Sequence, residues 1–223
     1  MLLRRTTPVH FLHIGKTGGT AIIQALSPIA DRFGILIHDH STRLNDIPPD
    51  HRVFFFVRHP ISRFVSGFIS RFRQGAPRYH YEWTEAESRA FGRFQKPTDL
   101  AEALSAHDSG TQGQARDAMR SIQHVRSSYT DWFLGERELD ARLETIVLLG
   151  LQETLCSDFE VLKKLLHLPR GLSLPKDDVL AHRTPREFDR RLSPLAEQNL
   201  REWYSNDLQF YEHCLRLRAQ RAL

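Results

Sequence analysis

The sequence predicts an α/β fold built on a mostly parallel sheet covered by helices on both faces. Three observations predict it. Short apolar runs of strand length recur along the chain, stretches of helical periodicity separate them, and the early runs end in glycine-rich or polar turns. The 223 residues suit one domain spanning 1–223. Apolar residues make up 40% of the chain, including 14 phenylalanines, which supplies a substantial core, and a charged fraction of 26% argues against disorder.

The first strand is expected at residues 9–14, an apolar run that stops at Gly15. A turn over 15–19 follows, then a helix from Thr20 whose apolar face carries Ile22, Ile23 and Leu26. A second strand is expected at 34–37, leading into a polar stretch over 38–50. The run 52–57 is apolar on both faces and reads as a central strand. Pro60 then opens a helix, where a missing N–H costs nothing. Its stripe is Ile61, Phe64, Val65, Phe68, Ile69 and Phe72, with Arg63, Arg71 and Arg73 off that stripe. The middle, 74–113, reads as short helices and loop, and 118–133 as a further helix. A fourth strand is expected within 144–151, an amphipathic helix at 156–168, a loop at 171–191, and one long terminal helix over 193–217 capped by Ser193 with Pro194 at its first position.

Composition narrows the function. Two cysteines, Cys156 and Cys214, are too few and too far apart for a disulfide scaffold or a closely spaced zinc pair, and a reducing compartment is the default. The segment from Met1 to Pro8 lacks a signal-peptide apolar region, and no run approaches the roughly 18 apolar residues of a membrane span. A complete cytoplasmic chain without a transmembrane segment is therefore expected. The net charge of +4 suits an anionic ligand but falls short of a dedicated nucleic-acid protein.

Ligands of open α/β sheets lie beyond the carboxyl ends of the strands. That directs attention to 15–20, 38–40 and 58–66. In the first, Gly15-Lys16-Thr17-Gly18-Gly19-Thr20 joins a strand to a helix. Glycines let backbone approach an anion, N–H groups at the helix start point toward it, and Lys16 adds a full charge while Thr17 and Thr20 add hydroxyls. A nucleotide triphosphatase loop would need a glycine at position 10, which is His10. It would also need a magnesium-binding acid after a buried strand, where this chain has Arg58. In the last segment, Arg58 at a strand end suits bidentate phosphate contact, with Ser66 about two helical turns on. Taken alone, that pair is better read as a capped helix with a solvated arginine.

Together the two motifs resemble the sulfotransferases that use 3′-phosphoadenosine-5′-phosphosulfate (PAPS). The chain is most similar to the carbohydrate branch, with its heparan sulfate 2-O- and 6-O-sulfotransferases and bacterial relatives. Lys16-Thr17-Gly18-Gly19-Thr20 fits that family's 5′-phosphosulfate loop, and Arg58 with Ser66 fits its 3′-phosphate pair at the same eight-residue spacing. The resemblance implies a P-loop-like three-layer domain without a metal, with PAPS as donor and PAP as product. The acceptor it implies is a hydroxyl, expected on a saccharide. It also implies Lys16 at the leaving oxygen and a histidine general base. His38 and His40, just past the second strand, are the candidates, on one side of an extended segment, with Asp39 a weaker alternative. His13 reads as packed. Arg183, in the late loop after His182, is a further candidate for the 3′-phosphate or adenine. Arg63, Arg71, Arg73 and Arg78 beside Tyr79, Tyr81 and Trp83 read either as a solvated face or as a groove for an anionic glycan. Competing readings are a phosphotransferase or triphosphatase, and a non-catalytic polyanion-binding module on the same fold.

Overall fold

A computed structural model describes residues 7–220; of the N-terminal segment read above, residues 1–6 lie outside the described residues. The strands are β1 (Val9–Leu12), β2 (Ile35–Ile37), β3 (Arg52–Val57) and β4 (Ile146–Leu151). The helices are α1 (Gly19–Leu26), α2 (Pro60–Phe72), α3 (Glu85–Arg93), α4 (Pro97–Ala103), α5 (Ser109–Ser121), α6 (Glu136–Ala141), α7 (Leu155–Leu165), α8 (Pro194–Trp203) and α9 (Ser205–Gln220). The described residues divide into two compact units, one comprising 7–58, 129–181 and 210–220, the other 59–128 and 182–209.

The first unit holds the sheet. All four strands run parallel in the order β2-β1-β3-β4. Side chains alternate along a strand, so β3 builds two cores at once. Phe54 and Phe56 pack with Phe11 of β1, Ile22 and Leu26 of α1, and Phe159 and Leu162 of α7. Val53, Phe55 and Val57 pack with Tyr129 and Phe133 and with Phe210, Cys214 and Leu217 of α9. Burial on both faces is why the run is apolar throughout. The predicted α/β layering is therefore present: a parallel sheet flanked by helices. β1 has β2 on one side and β3 on the other. The chain goes from β1 through α1 to β2 and then returns past β1 to β3, so the strand order switches between β1 and β3. A crevice is expected beyond the carboxyl ends of those two strands.

The second unit is helical. Ile61, Phe64, Val65, Phe68 and Ile69 of α2 are buried, as the stripe predicts. Arg63 and Arg71 are buried as well, each 2% exposed, which corrects both the solvated-face and the glycan-groove readings for these two side chains. Arg63 pairs with Asp207 at 3.1 Å, and Arg71 makes a bidentate pair with Glu87 at 2.8 and 2.7 Å. The Trp83 indole N–H donates to the Arg71 carbonyl at 2.7 Å, and the Arg71 guanidinium lies 4.9 Å from the Tyr81 ring centroid. These aromatics therefore enclose a buried ion pair.

Two predicted helices end differently. The one expected over 118–133 is instead α5, which starts after its Asp108 cap and stops at Ser121. Ile122 turns extended, and the next N–H, that of Gln123, donates to the Glu87 carboxylate at 3.0 Å instead of to a carbonyl one turn back. The terminal helix is two, broken at Tyr204. Ser193 caps α8 through its hydroxyl, with Pro194 next, as expected. The break is encoded by Ser205, Asn206 and Asp207, which favour a helix start over a helix interior. Residues 171–191 carry neither helix nor strand. Among the described residues no helix is long and apolar enough to cross a membrane.

Candidate functional site

At the end of β1 the chain must turn tightly into α1. Lys16 takes the left-handed conformation at φ 68°, and Gly18 does so at φ 91°, a conformation glycine adopts without a Cβ penalty. Thr17 is 1% exposed and its hydroxyl donates to the Ile14 carbonyl at 2.9 Å, so that hydrogen stabilises the turn itself. Gly19 is required for space: a Cβ there would lie 2.1 Å from the His13 ring. His13 is buried, as expected, and fills the position behind the loop. Burial first, then His40 and Lys16, lower its pKa to about 3, so it is neutral at physiological pH.

α1 begins at Gly19 with no acidic residue in its first turn. The leading N–H groups of a helix have no intrahelical acceptor, and the helix dipole is positive there. Gly15 is buried, and Lys16, Gly18 and Thr20 are half-buried at this end. The elements thus gather backbone donors and a lysine at the carboxyl end of β1, the arrangement that binds phosphate-like anions.

Arg58 follows the last residue of β3, the neighbouring strand. Its Nη1 donates to the Lys16 carbonyl at 3.3 Å. The two cationic residues of the separate sequence motifs are therefore joined at the switch point. Arg58 is further held by Tyr129, whose hydroxyl accepts from the Arg58 N–H at 2.8 Å and donates to the Arg58 carbonyl at 2.5 Å. Sequence reasoning missed Tyr129 because it placed that residue inside a helix. The usable signal was chemical: a buried tyrosine hydroxyl needs a partner.

The two candidate bases engage different partners, which corrects the expectation that they share one side. β2 ends at Ile37, and Asp39 then accepts from the Ser41 N–H at 2.8 Å and the Ser41 hydroxyl at 2.6 Å, so the segment is a turn and not extended. Those bonds hold Asp39 below the usual carboxylate pKa. The His38 ring stacks on His10, its Nε2 2.7 Å from His10 Nδ1, and His10 Nε2 lies 2.9 Å from His51 Nδ1. Burial, then His38, His51 and Arg142, lower the His10 pKa to about 4. His40 instead packs on His13 with ring centroids 4.0 Å apart. Its Nδ1 donates to the His13 carbonyl at 3.0 Å, which makes Nε2 the basic nitrogen. Burial and the Lys16 charge lower the His40 pKa below its ordinary value, outweighing the hydrogen bond to the His13 carbonyl, which raises it.

Ser66 and Arg183 belong to the second unit. Ser66 lies half-buried on α2. Arg183 is exposed in the late loop, with its carbonyl accepting from Arg73 Nη2 at 3.3 Å, and the preceding His182 sits 3.2 Å from the Ser70 hydroxyl.

Comparison with known proteins adds one match. The sequence profile of the Sulfotransferase family fits residues 2–213, nearly the whole chain. Among curated proteins, none matches it.

Proposed function

The chain belongs to the Sulfotransferase family, and from that premise we propose that it moves the sulfuryl group of PAPS to a hydroxyl of a carbohydrate. One observation carries the reading: Lys16, at the start of α1, and Arg58, at the end of β3, meet through a 3.3 Å hydrogen bond at the strand switch point. An anion with charge at two places suits such a pair.

In this reading the N–H groups from Gly15 through Thr20 receive the 5′-phosphate. Thr17 contributes through its backbone, since its hydroxyl is engaged with Ile14, and Thr20 adds its hydroxyl. Arg58 receives the 3′-phosphate. The acceptor oxygen attacks sulfur in line as the bond from sulfur to the bridging phosphate oxygen breaks. Lys16 compensates the charge on the leaving oxygen. The acceptor's proton passes to His40 Nε2, the ring nitrogen that carries the lone pair when Nδ1–H donates to the His13 carbonyl. His38, tied to His10, orders the same loop.

The test is transfer from sulfur-labelled PAPS to a panel of saccharides and simple alcohols. Label on a saccharide supports the reading. Label on alcohols alone moves the acceptor out of the carbohydrate class, and no transfer to any hydroxyl by folded protein contradicts sulfotransfer.

A further inference from the structure

Arg58 is the last residue of the first unit before the chain departs into residues 59–128, and Tyr129 is the first residue on its return. A single hydroxyl clasps these two positions. β3 ends at Val57, whose carbonyl still accepts from the Gln152 N–H at 2.8 Å. One residue further, ladder pairing gives way to Tyr129, which accepts from the Arg58 N–H at 2.8 Å and donates to its carbonyl at 2.5 Å. The tyrosine ring is 1% exposed and packs against Phe210 at 5.2 Å between centroids. The hydroxyl therefore cannot swing aside without withdrawing a ring from the core.

Bridging the N–H and carbonyl of one residue restricts both of its backbone torsions. A long side chain amplifies any rotation there into a large displacement of its head group. We propose that Tyr129 is a positioning residue for the donor nucleotide: by fixing the backbone of Arg58 it fixes where the guanidinium meets the 3′-phosphate. The clasp also closes the root of the 59–128 excursion, so the orientation of Arg58 is set within the first unit. This inference rests on the PAPS reading above.

The test is Tyr129→Phe, which keeps the ring and removes both hydrogen bonds. Tyr204→Phe is the control: it removes a buried hydroxyl that donates to the Val125 carbonyl at 2.7 Å in the second unit. For Tyr129→Phe, the dissociation constant for PAP and KM for PAPS should each rise about tenfold, with kcat at saturating PAPS within about twofold of wild type. Hydrogen exchange at the Arg58 amide should accelerate. Tyr204→Phe should leave PAP affinity unchanged while lowering Tm. Wild-type PAP affinity in Tyr129→Phe overturns the positioning role, as does an equal loss in Tyr204→Phe. If the wild-type protein binds no PAP, the functional reading fails first and the inference falls with it, even where the Arg58 amide exchanges faster.

Discussion

The segment from β3 into α2 carries Arg58, Arg63 and Arg71, three arginines of one charge and two fates. Arg63 and Arg71 are buried, and each is matched by a carboxylate, Asp207 or Glu87. Arg58 is half-buried, and its guanidinium donates to a neutral carbonyl, that of Lys16. A guanidinium neutralised by a carboxylate stabilises the fold. The Arg58 guanidinium instead reaches the anion loop at Lys16, where the proposed donor nucleotide would bind. The comparison shows that a motif's arginines are sorted by their partners and not by their spacing.

That contrast can be broken most severely at Arg71. Replacing it with Met leaves Glu87 buried without its cation, and the unfolding free energy from urea titration should fall by about 3–5 kcal/mol. PAP affinity of the folded fraction should not change. The same variant should alter the response to acid. Desolvation raises the Glu87 pKa, but the Arg71 hydrogen bonds and the Thr84 and Gln123 amides outweigh it and hold the group at about 2, against 4.5 unfolded. A depressed folded-state pKa contributes stability above the unfolded value and loses it as pH falls toward 2. Wild-type stability should therefore decline between about pH 5 and pH 2, and Arg71→Met should flatten that decline.

At the site, the largest effect is expected from Lys16→Ala. Turnover should drop about 10²- to 10³-fold, the usual cost of removing one stabiliser of transition-state charge, with Tm nearly unchanged. Arg58→Ala should chiefly weaken PAP binding, by about 1.5–3 kcal/mol as for hydrogen bonds to charged groups, read by calorimetry. If Arg58→Ala instead destabilised the fold as Arg71→Met does, the distinction between the two kinds of arginine would be lost. The acid limb of kcat/KM should have its midpoint below 6.5, the ordinary histidine value, because desolvation and Lys16 depress His40; His40→Gln should abolish that limb. The smallest effect is expected from Thr17→Val, about 1 kcal/mol of stability from the lost bond to Ile14, by thermal unfolding.

Much of this was legible in the residues. β1 and β3 showed themselves because burial on both faces demands uninterrupted apolar runs, and the loop showed itself because Gly18 and Gly19 answer local demands, a left-handed turn and a ring at 2.1 Å. What stayed hidden depended on distant partners. Asp207 lies 144 positions from Arg63, and nothing near Arg63 announces it. The break after Ser121 depends on a carboxylate 36 residues away taking the Gln123 N–H. His10 read as one more residue of an apolar run, yet His38 and His51 engage both its nitrogens. Local patterns reveal local geometry, whereas buried polar groups are decided by whatever the fold brings to them.

The central claim is that Lys16 and Arg58 serve one doubly phosphorylated nucleotide. Calorimetric titration of the wild-type protein with PAP, ADP and ATP, each with and without magnesium, tests it most directly. The account predicts that PAP binds tightest and that magnesium does not improve its binding. Preference for ATP with magnesium, or equal affinity for ADP and PAP, would contradict it.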